Sequence, residues 1–305
     1  MKRVQVLLSA YNGEKYIAQQ IESILRQKHV DIFLLVRDDG SLDKTGKILA
    51  GYAALYPNIR VYAGENIGTQ KSYFDLLAHA DAGMDYYAFS DQDDVWHPQK
   101  MQRAAAILSR ETENQPLLYA GNVICAMEDL RTKKRLLRPA RVHPSFGNAL
   151  VENICIGCTE VFNQRLLELV RMHPPRCGIF HDWWLYMTAS CFGKVCFDHK
   201  AYLLYRQHGQ NQVGMQDTLW KKWKHRMHKA EKLRGLLSGQ ARDFAYVYKD
   251  MLRENKEPER KELELVAGYR QDRRKKREIL AGSTVCRQNP MDQWVFKILF
   301  GIGYL

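Results

Sequence analysis

The chain has 305 residues, 46% of them hydrophobic, enough for one large domain or a domain with an appendage, and this excludes a disordered or low-complexity protein. The formal charge of +12 is lopsided: residues 218–305 hold 21 Lys and Arg against 11 Asp and Glu, so nearly all of the excess lies there. No run reaches the roughly 18–20 apolar residues of a membrane span, and seven scattered cysteines suit a reducing compartment, so a cytoplasmic chain is expected.

The start, "MKRVQVLLSAYNG", reads as a first strand over Val4–Ser9 and not as a signal peptide, because its apolar run is short. In "EKYIAQQIESILRQ" the residues Tyr16, Ile17, Ile21, Ile24 and Leu25 share one helical face. The strand "DIFLLVRD", the helix "KTGKILAGYAALY", the strand "IRVYAG", the helix "TQKSYFDLLAHA", the strand "YYAFS" and the helix "PQKMQRAAAILSR" follow. Strict alternation predicts a parallel sheet covered on both faces, with ligands beyond the C-terminal strand ends. There the chain carries "SAYNGE", "RDDGSLD", "GENIG" and "SDQDD", a polar rim suited to a nucleotide, although none is a P-loop or a G-x-G-x-x-G fingerprint.

After Arg110 the pattern loosens into the strand "LLYAGNVICAM", a basic loop from Arg131 to Arg141 and the short helix "FGNALVEN". From Thr218 onward basic helical segments dominate, so a border is expected between 217 and 218. "CIGC" (Cys155, Cys158) has a zinc-like spacing without a second ligand pair, and reads as two half-buried thiols.

"FSDQDDVWHPQK" is the chemically loaded stretch. Asp91 suits the end of the preceding strand and Asp94 a helix N-cap, but a third carboxylate between them has no structural task. A hard divalent cation, Mg²⁺ or Mn²⁺, offsets the repulsion of such a turn and takes the phosphates of a nucleotide as further ligands.

Taken in order, "SAYNGEKYI", "RDDGSLDKT", "ENIG", "FSDQDDVW", "HDWW" and "YRQHGQNQVG" resemble the family 2 glycosyltransferases with the GT-A fold, and within them the bacterial rhamnosyltransferase-type enzymes. The resemblance covers about the first 217 residues and implies a GT-A catalytic domain over 1–217, with a mainly helical region over 218–305. It implies a D-x-D role for "DQD": Asp93 on the metal with His208, Asp91 on the ribose or sugar, and Asp94 in support. It further implies nucleotide-sugar contacts from Ala10, Tyr11, Asn12, Asp38, Asn66, Lys71, Gln92 and Arg206, with Tyr11 stacking on a pyrimidine and Asp38 accepting its N3–H. Asp182 of "HDWW" would be the general base, its pKa raised by Trp183 and Trp184.

Each residue also has a plain structural reading: an Asp-Gly turn for Asp38 and Asp39, a core ring for Tyr11, an N-cap for Asp182 and a turn histidine for His208. The implied reaction is an inverting, metal-dependent transfer from a nucleoside-diphosphate sugar. dTDP-L-rhamnose is favoured over UDP-hexose or UDP-N-acetylhexosamine, and the acceptor is a surface polysaccharide or a polyprenyl-diphosphate-linked glycan. A non-catalytic assembly subunit and a nucleotidyltransferase stay open. Nucleic acid is not an expected partner, since the basic excess lies in helices without a reader motif. The C-terminal "LWKKWKHRMHKAEKLRGLL", with Trp220, Trp223 and Met227 at helical spacing, and the apolar "QWVFKILFGIGYL" suit an anionic membrane surface or a homodimer contact.

Overall fold

The computed structural model describes residues 1–131, 142–207, 235–253 and 256–304, and the backbone of 133–136. His208, the Trp220–Trp223–Met227 set and the expected border at 217/218 lie outside the described residues. The chain divides into two compact units. The first is Met1–Arg141, Cys155–Met172 and Phe180–Asn211; the second is Val142–Ile154, His173–Ile179 and Gln212–Leu305. The second unit thus takes two earlier segments that no shift in composition announces.

In the first unit, β1 (Lys2–Ala10), β2 (Val30–Asp38), β3 (Ile59–Ala63) and β4 (Tyr86–Ser90) alternate with α1 (Ile17–Leu25), α2 (Thr45–Leu55) and α3 (Thr69–His79). These four strands run parallel in the order β3-β2-β1-β4. The central β1 buries Val4, Val6, Leu7, Leu8 and Ala10, as a strand covered on both faces must. On α1 the predicted face is the buried one, Ile17, Ile21 and Ile24, with Tyr16 and Leu25 half-buried at its margins.

Beyond β4 the sheet turns mixed. β8 (Val161–Asn163) runs antiparallel to β4 and to β6 (Leu117–Met127), and β9 (Lys194–Gln207) runs parallel to β6. The two-residue β5 (Val95–Trp96) is antiparallel to β9, and β7 (Lys133–Leu136), inside the expected basic loop, pairs with β6. α4 (Lys100–Leu108) follows β5, α6 (Gln164–Met172) follows β8, and α7 (His181–Phe192) precedes β9. α7 buries Trp183, Trp184, Leu185, Tyr186, Met187 and Ala189, apolar on every side because it is a central helix. It stops at Gly193, where a Cβ would overlap the Pro116 carbonyl, and Lys194 N–H then donates to that carbonyl (2.9 Å) to open β9 against β6.

The second unit is helical: α5 (Phe146–Ala149), α8 (Leu236–Val247), α9 (Glu257–Gly268), α10 (Arg273–Gly282) and α11 (Pro290–Gly301). Its core stacks the rings of Phe146, Phe244 and Tyr248 in one group and Tyr269, Phe296 and Phe300 in another. Among the described residues no helix is long and apolar enough to cross a membrane.

Candidate active site

Because β1 to β4 are parallel, the loops after them gather on one rim. The direction of chain progression reverses beside β1, between β2 on one side and β4 on the other, and the loops after β1 and β4 therefore flank a crevice. They are tied together across it. Tyr11 N–H donates to Gln92 Oε1 and Gln92 Nε2 donates to the Tyr11 carbonyl, both at 2.9 Å. Gly13 is required by this pair, since a Cβ there would overlap the Gln92 amide. Gln92 is thus a bridge between loops.

The other rim residues fall into place around that bridge. Ala10 ends β1 opposite Asp38, which ends β2, buried, with Oδ1 accepting from Ser41 N–H (3.0 Å). Asn12, in the left-handed region at φ 46°, accepts from Leu42 N–H (2.8 Å) and joins the first loop to the second. Asp39 accepts from the N–H groups of Ile67 and Gly68 (3.0 Å each) and pairs with the buried Arg37, which holds the loop carrying Asn66 over Gly40. Lys71 lies exposed in the first turn of α3, beside the Ser72–Ser9 hydroxyl bond (2.6 Å) that ties α3 to the end of β1. Tyr11 is 43% exposed, so it is no core ring.

The three aspartates differ sharply in environment. Asp93 is half-buried on the rim. Asp91 accepts from the buried Tyr73 hydroxyl (2.9 Å), and burial, then the charge of Asp93, pushes its pKa up to about 7. Asp94 is fully buried, and burial and the other two carboxylates hold its pKa well above the usual range. It does not cap α4, whose N-cap is Gln99: its Oδ1 accepts from Arg206 N–H (3.2 Å) instead.

Arg206 is buried too. Its guanidinium donates to the carbonyls of Asp93 (Nε, 2.7 Å) and Glu128 and to Gln19, and it lies over the Tyr16 ring at 4.6 Å. With those bonds it braces the aspartate turn from behind. Asp182 sits in the first turn of α7, behind the N-cap Phe180, and accepts from Trp183 N–H (2.7 Å) and Gly157 N–H (3.2 Å). Gly157, which donates to it, precedes Cys158, whose Sγ lies within 4.8 Å of carboxylate oxygens of Asp91 and Asp94, so Asp182 stands near the aspartate turn, and its charge adds to the causes that raise the Asp91 pKa. His181 faces the core, stacked on Tyr73 at 3.8 Å with its pKa driven down to about 3 by burial, and does not shape the crevice.

Four residues here were given no place beside the aspartates by the sequence. A carboxylate oxygen of Asp91, one of Asp94 and Sγ of Cys158 all lie within 4.8 Å of one another. Burial raises the Cys158 thiol well above its ordinary value, so it stays a protonated donor to the carboxylates and is a poor soft-metal ligand. Cys155 and Cys158 are fully buried, and the described residues add no ligand pair to make "CIGC" a zinc site. Lys100 buries its ammonium over the Trp96 ring (3.7 Å); burial pulls its pKa down to about 7 against the opposing pull of Cys158, Asp94 and Asp91. Glu160 is buried with neither oxygen hydrogen-bonded among the described residues, and burial holds its proton on. Tyr73 carries the hydroxyl that orients Asp91. Two signals were visible: the "CIGC" spacing, which reads as half-buried thiols, and a Lys nine residues after Asp91, which at the start of an amphipathic helix reads as surface.

The donor set fits a hard divalent cation: oxygen ligands from neighbouring aspartates, two of them pushed toward protonation by burial and then by the charge of neighbouring carboxylates, the second of which a cation would offset.

The family profile "Glycosyl transferase family 2" matches residues 5–169. The dTDP-rhamnosyl transferase RfbG of Shigella flexneri is 33% identical over 228 residues, covering 71% of this chain and 77% of RfbG. Among solved structures, S. aureus TarS 1-349 in complex with UDP-GlcNAc superposes with a TM-score of 0.54 at 19% identity, over 91% of this chain and 83% of that chain. The mannosyltransferase PcManGT from Pyrobaculum calidifontis, in complex with GDP-Man and Mn²⁺, does so with 0.52 at 17% identity, over 99% and 85%. The last two bear on the fold alone, a GT-A-like α/β arrangement. The profile runs from β1 into α6, more than half of the chain, and with it the chain belongs to glycosyl transferase family 2.

Proposed function

We propose that the chain transfers a sugar, with inversion, from a nucleoside-diphosphate sugar to a growing bacterial surface polysaccharide or a polyprenyl-diphosphate-linked glycan. dTDP-L-rhamnose is the favoured donor, supported by the similarity to RfbG; UDP-hexose and UDP-N-acetylhexosamine come second. The observation that carries the reading is that Asp182, bonded to Gly157 N–H beside Cys158, and the aspartate turn, whose Asp91 and Asp94 oxygens lie within 4.8 Å of Cys158 Sγ, are held together at the rim beside β1. Tyr11 and Asp38 hold the base, and Ala10, Asn12, Asn66, Lys71 and Asp91 face the ribose, diphosphate or sugar. Gln92 and Arg206 act through the loops they brace.

In the proposed displacement the acceptor oxygen attacks C1 of the donor sugar, its proton passes to the Asp182 carboxylate, and the bond from C1 to the diphosphate breaks. Asp93 and His208 would hold Mn²⁺ or Mg²⁺, which when bound neutralises charge on the departing diphosphate. The backbone donors of Gly157 and Trp183 fix where Asp182 points. The chain works in the cytoplasm, peripheral on the inner face of the membrane, where a lipid-linked acceptor is presented.

A donor panel tests this reading. With Mn²⁺ present, dTDP-L-rhamnose raises the melting temperature and is slowly hydrolysed to dTDP; EDTA or Asp93→Ala abolishes both effects while the fold stays intact. Activity that survives EDTA sinks the metal role. Release of pyrophosphate in place of a nucleoside diphosphate would make the protein a nucleotidyltransferase. Stabilisation by no nucleotide sugar would favour a non-catalytic subunit.

A further inference from the structure

α11 is apolar on two opposite sides. Phe296, Leu299 and Phe300 face the core of the second unit and are buried. Met291, Trp294, Ile298 and Ile302, spaced three, four and four residues apart, fall on the other side and are 59%, 61%, 42% and 72% exposed. A helix needs one apolar stripe to dock on its own unit, and a second, solvent-facing stripe that includes a Trp marks an interaction surface.

The neighbouring helix supplies the chemistry of the partner. α10 opens with the run "RRKKR" over 273–277, and among the described residues none of these five side chains forms an ion pair. The Lys276 ammonium reaches the end of α11, 3.8 Å from where a Cβ on Gly303 would stand, next to Ile302. The basic run therefore adjoins the apolar stripe at its Ile302 end, through Lys276.

We infer that this face, the outer stripe of α11 with the basic run of α10, docks the chain on an anionic lipid bilayer. Trp and aliphatic side chains enter the headgroup boundary while the cations meet lipid phosphates. A second copy of the chain fits less well. Four side chains on one helix fall short of the roughly 800 Å² per partner of a stable interface, and a two-fold axis through the stripe would bring two unpaired basic runs together. The inference rests on the peripheral-membrane reading and names the face that carries it.

Co-sedimentation of the full chain with phosphatidylglycerol/phosphatidylcholine vesicles, against phosphatidylcholine alone, tests it. Wild type binds the anionic vesicles only, and salt weakens the binding. Trp294→Ser/Ile298→Ser and Arg273→Gln/Arg274→Gln/Arg277→Gln each bind at least about tenfold more weakly, with unchanged circular dichroism, because every altered side chain is solvent-exposed. Variants that bind as wild type does overturn this face and leave membrane association to another segment. Wild type that binds no vesicle overturns both readings. A concentration-dependent dimer lost in the Trp294→Ser/Ile298→Ser variant would give the stripe to a second copy.

Discussion

Asp91→Asn separates what the fold wants from what the reaction wants. The amide keeps the oxygen that accepts from Tyr73 but cannot ionise. A folded acid whose pKa is raised from 3.8 to about 7 is indifferent below pH 3.8, where both states are protonated. As pH rises through that window the folded state must hold an anion it disfavours, and above 7 the cost is complete. The full interval corresponds to about 4 kcal/mol, and since Asp91 is half-buried, solvent screening leaves about 2 kcal/mol. Urea unfolding of both proteins without metal should therefore find the Asn variant more stable by about 2 kcal/mol near pH 8 and equal near pH 4. Transfer activity should meanwhile fall by about tenfold to a hundredfold, as expected when a charged acceptor for the ribose or sugar hydroxyls is lost. Equal stability at both pH values would refute the idea that the turn is crowded at a cost to the fold. An active, stabilised variant would refute the idea that the cost serves catalysis.

Asp182→Asn should keep nucleotide-sugar binding within a few-fold, because its amide oxygen still accepts from Trp183 N–H and only the longer bond from Gly157 N–H is given up, while turnover drops by about 10²–10⁴; near-normal turnover moves the base elsewhere. His181, whose pKa is lowered to about 3, supports the fold fully above pH 6.5 and loses that support as pH falls toward 3. His181→Phe should thus escape about 3 kcal/mol of the loss that wild type suffers between pH 7 and pH 4, and parallel unfolding curves would contradict this. Gly13→Ala should unfold close to wild type, since Gln92 can swing aside, yet bind nucleotide sugar several-fold more weakly by isothermal titration. Unchanged affinity would remove Gln92 from any organising role.

The strand–helix alternation through Leu108 was legible because periods of 2 and 3.6 are local, and the rim followed from the rule for parallel sheets. The mixed half was not. β8 has three residues, too few to carry a period, and its antiparallel seat between β4 and β6 depends on pairing with partners distant in sequence. For the site, "SDQDD" announced itself by charge density, whereas Cys158, Glu160 and Lys100 act by burial, which no local pattern reports. Asp94 and Arg206 show the same gap: a cap and an anion partner are what their types suggest, and long-range packing puts each beneath the turn. The C-terminal basic excess was legible as charge; which helix face it adjoins was visible only with α10 and α11 side by side.

The reciprocal amide pair between Tyr11 and Gln92 has a thermodynamic meaning. Two loops that meet only through a ligand must each surrender their freedom when the ligand arrives, and the affinity is reduced by both losses. Here that ordering is completed during folding, because one side chain closes a hydrogen-bonded ring between the loop beyond β1 and the loop beyond β4. The crevice is preorganised, so a ligand that reaches Tyr11 or the aspartate turn meets two walls already held together and gives up less affinity to their ordering.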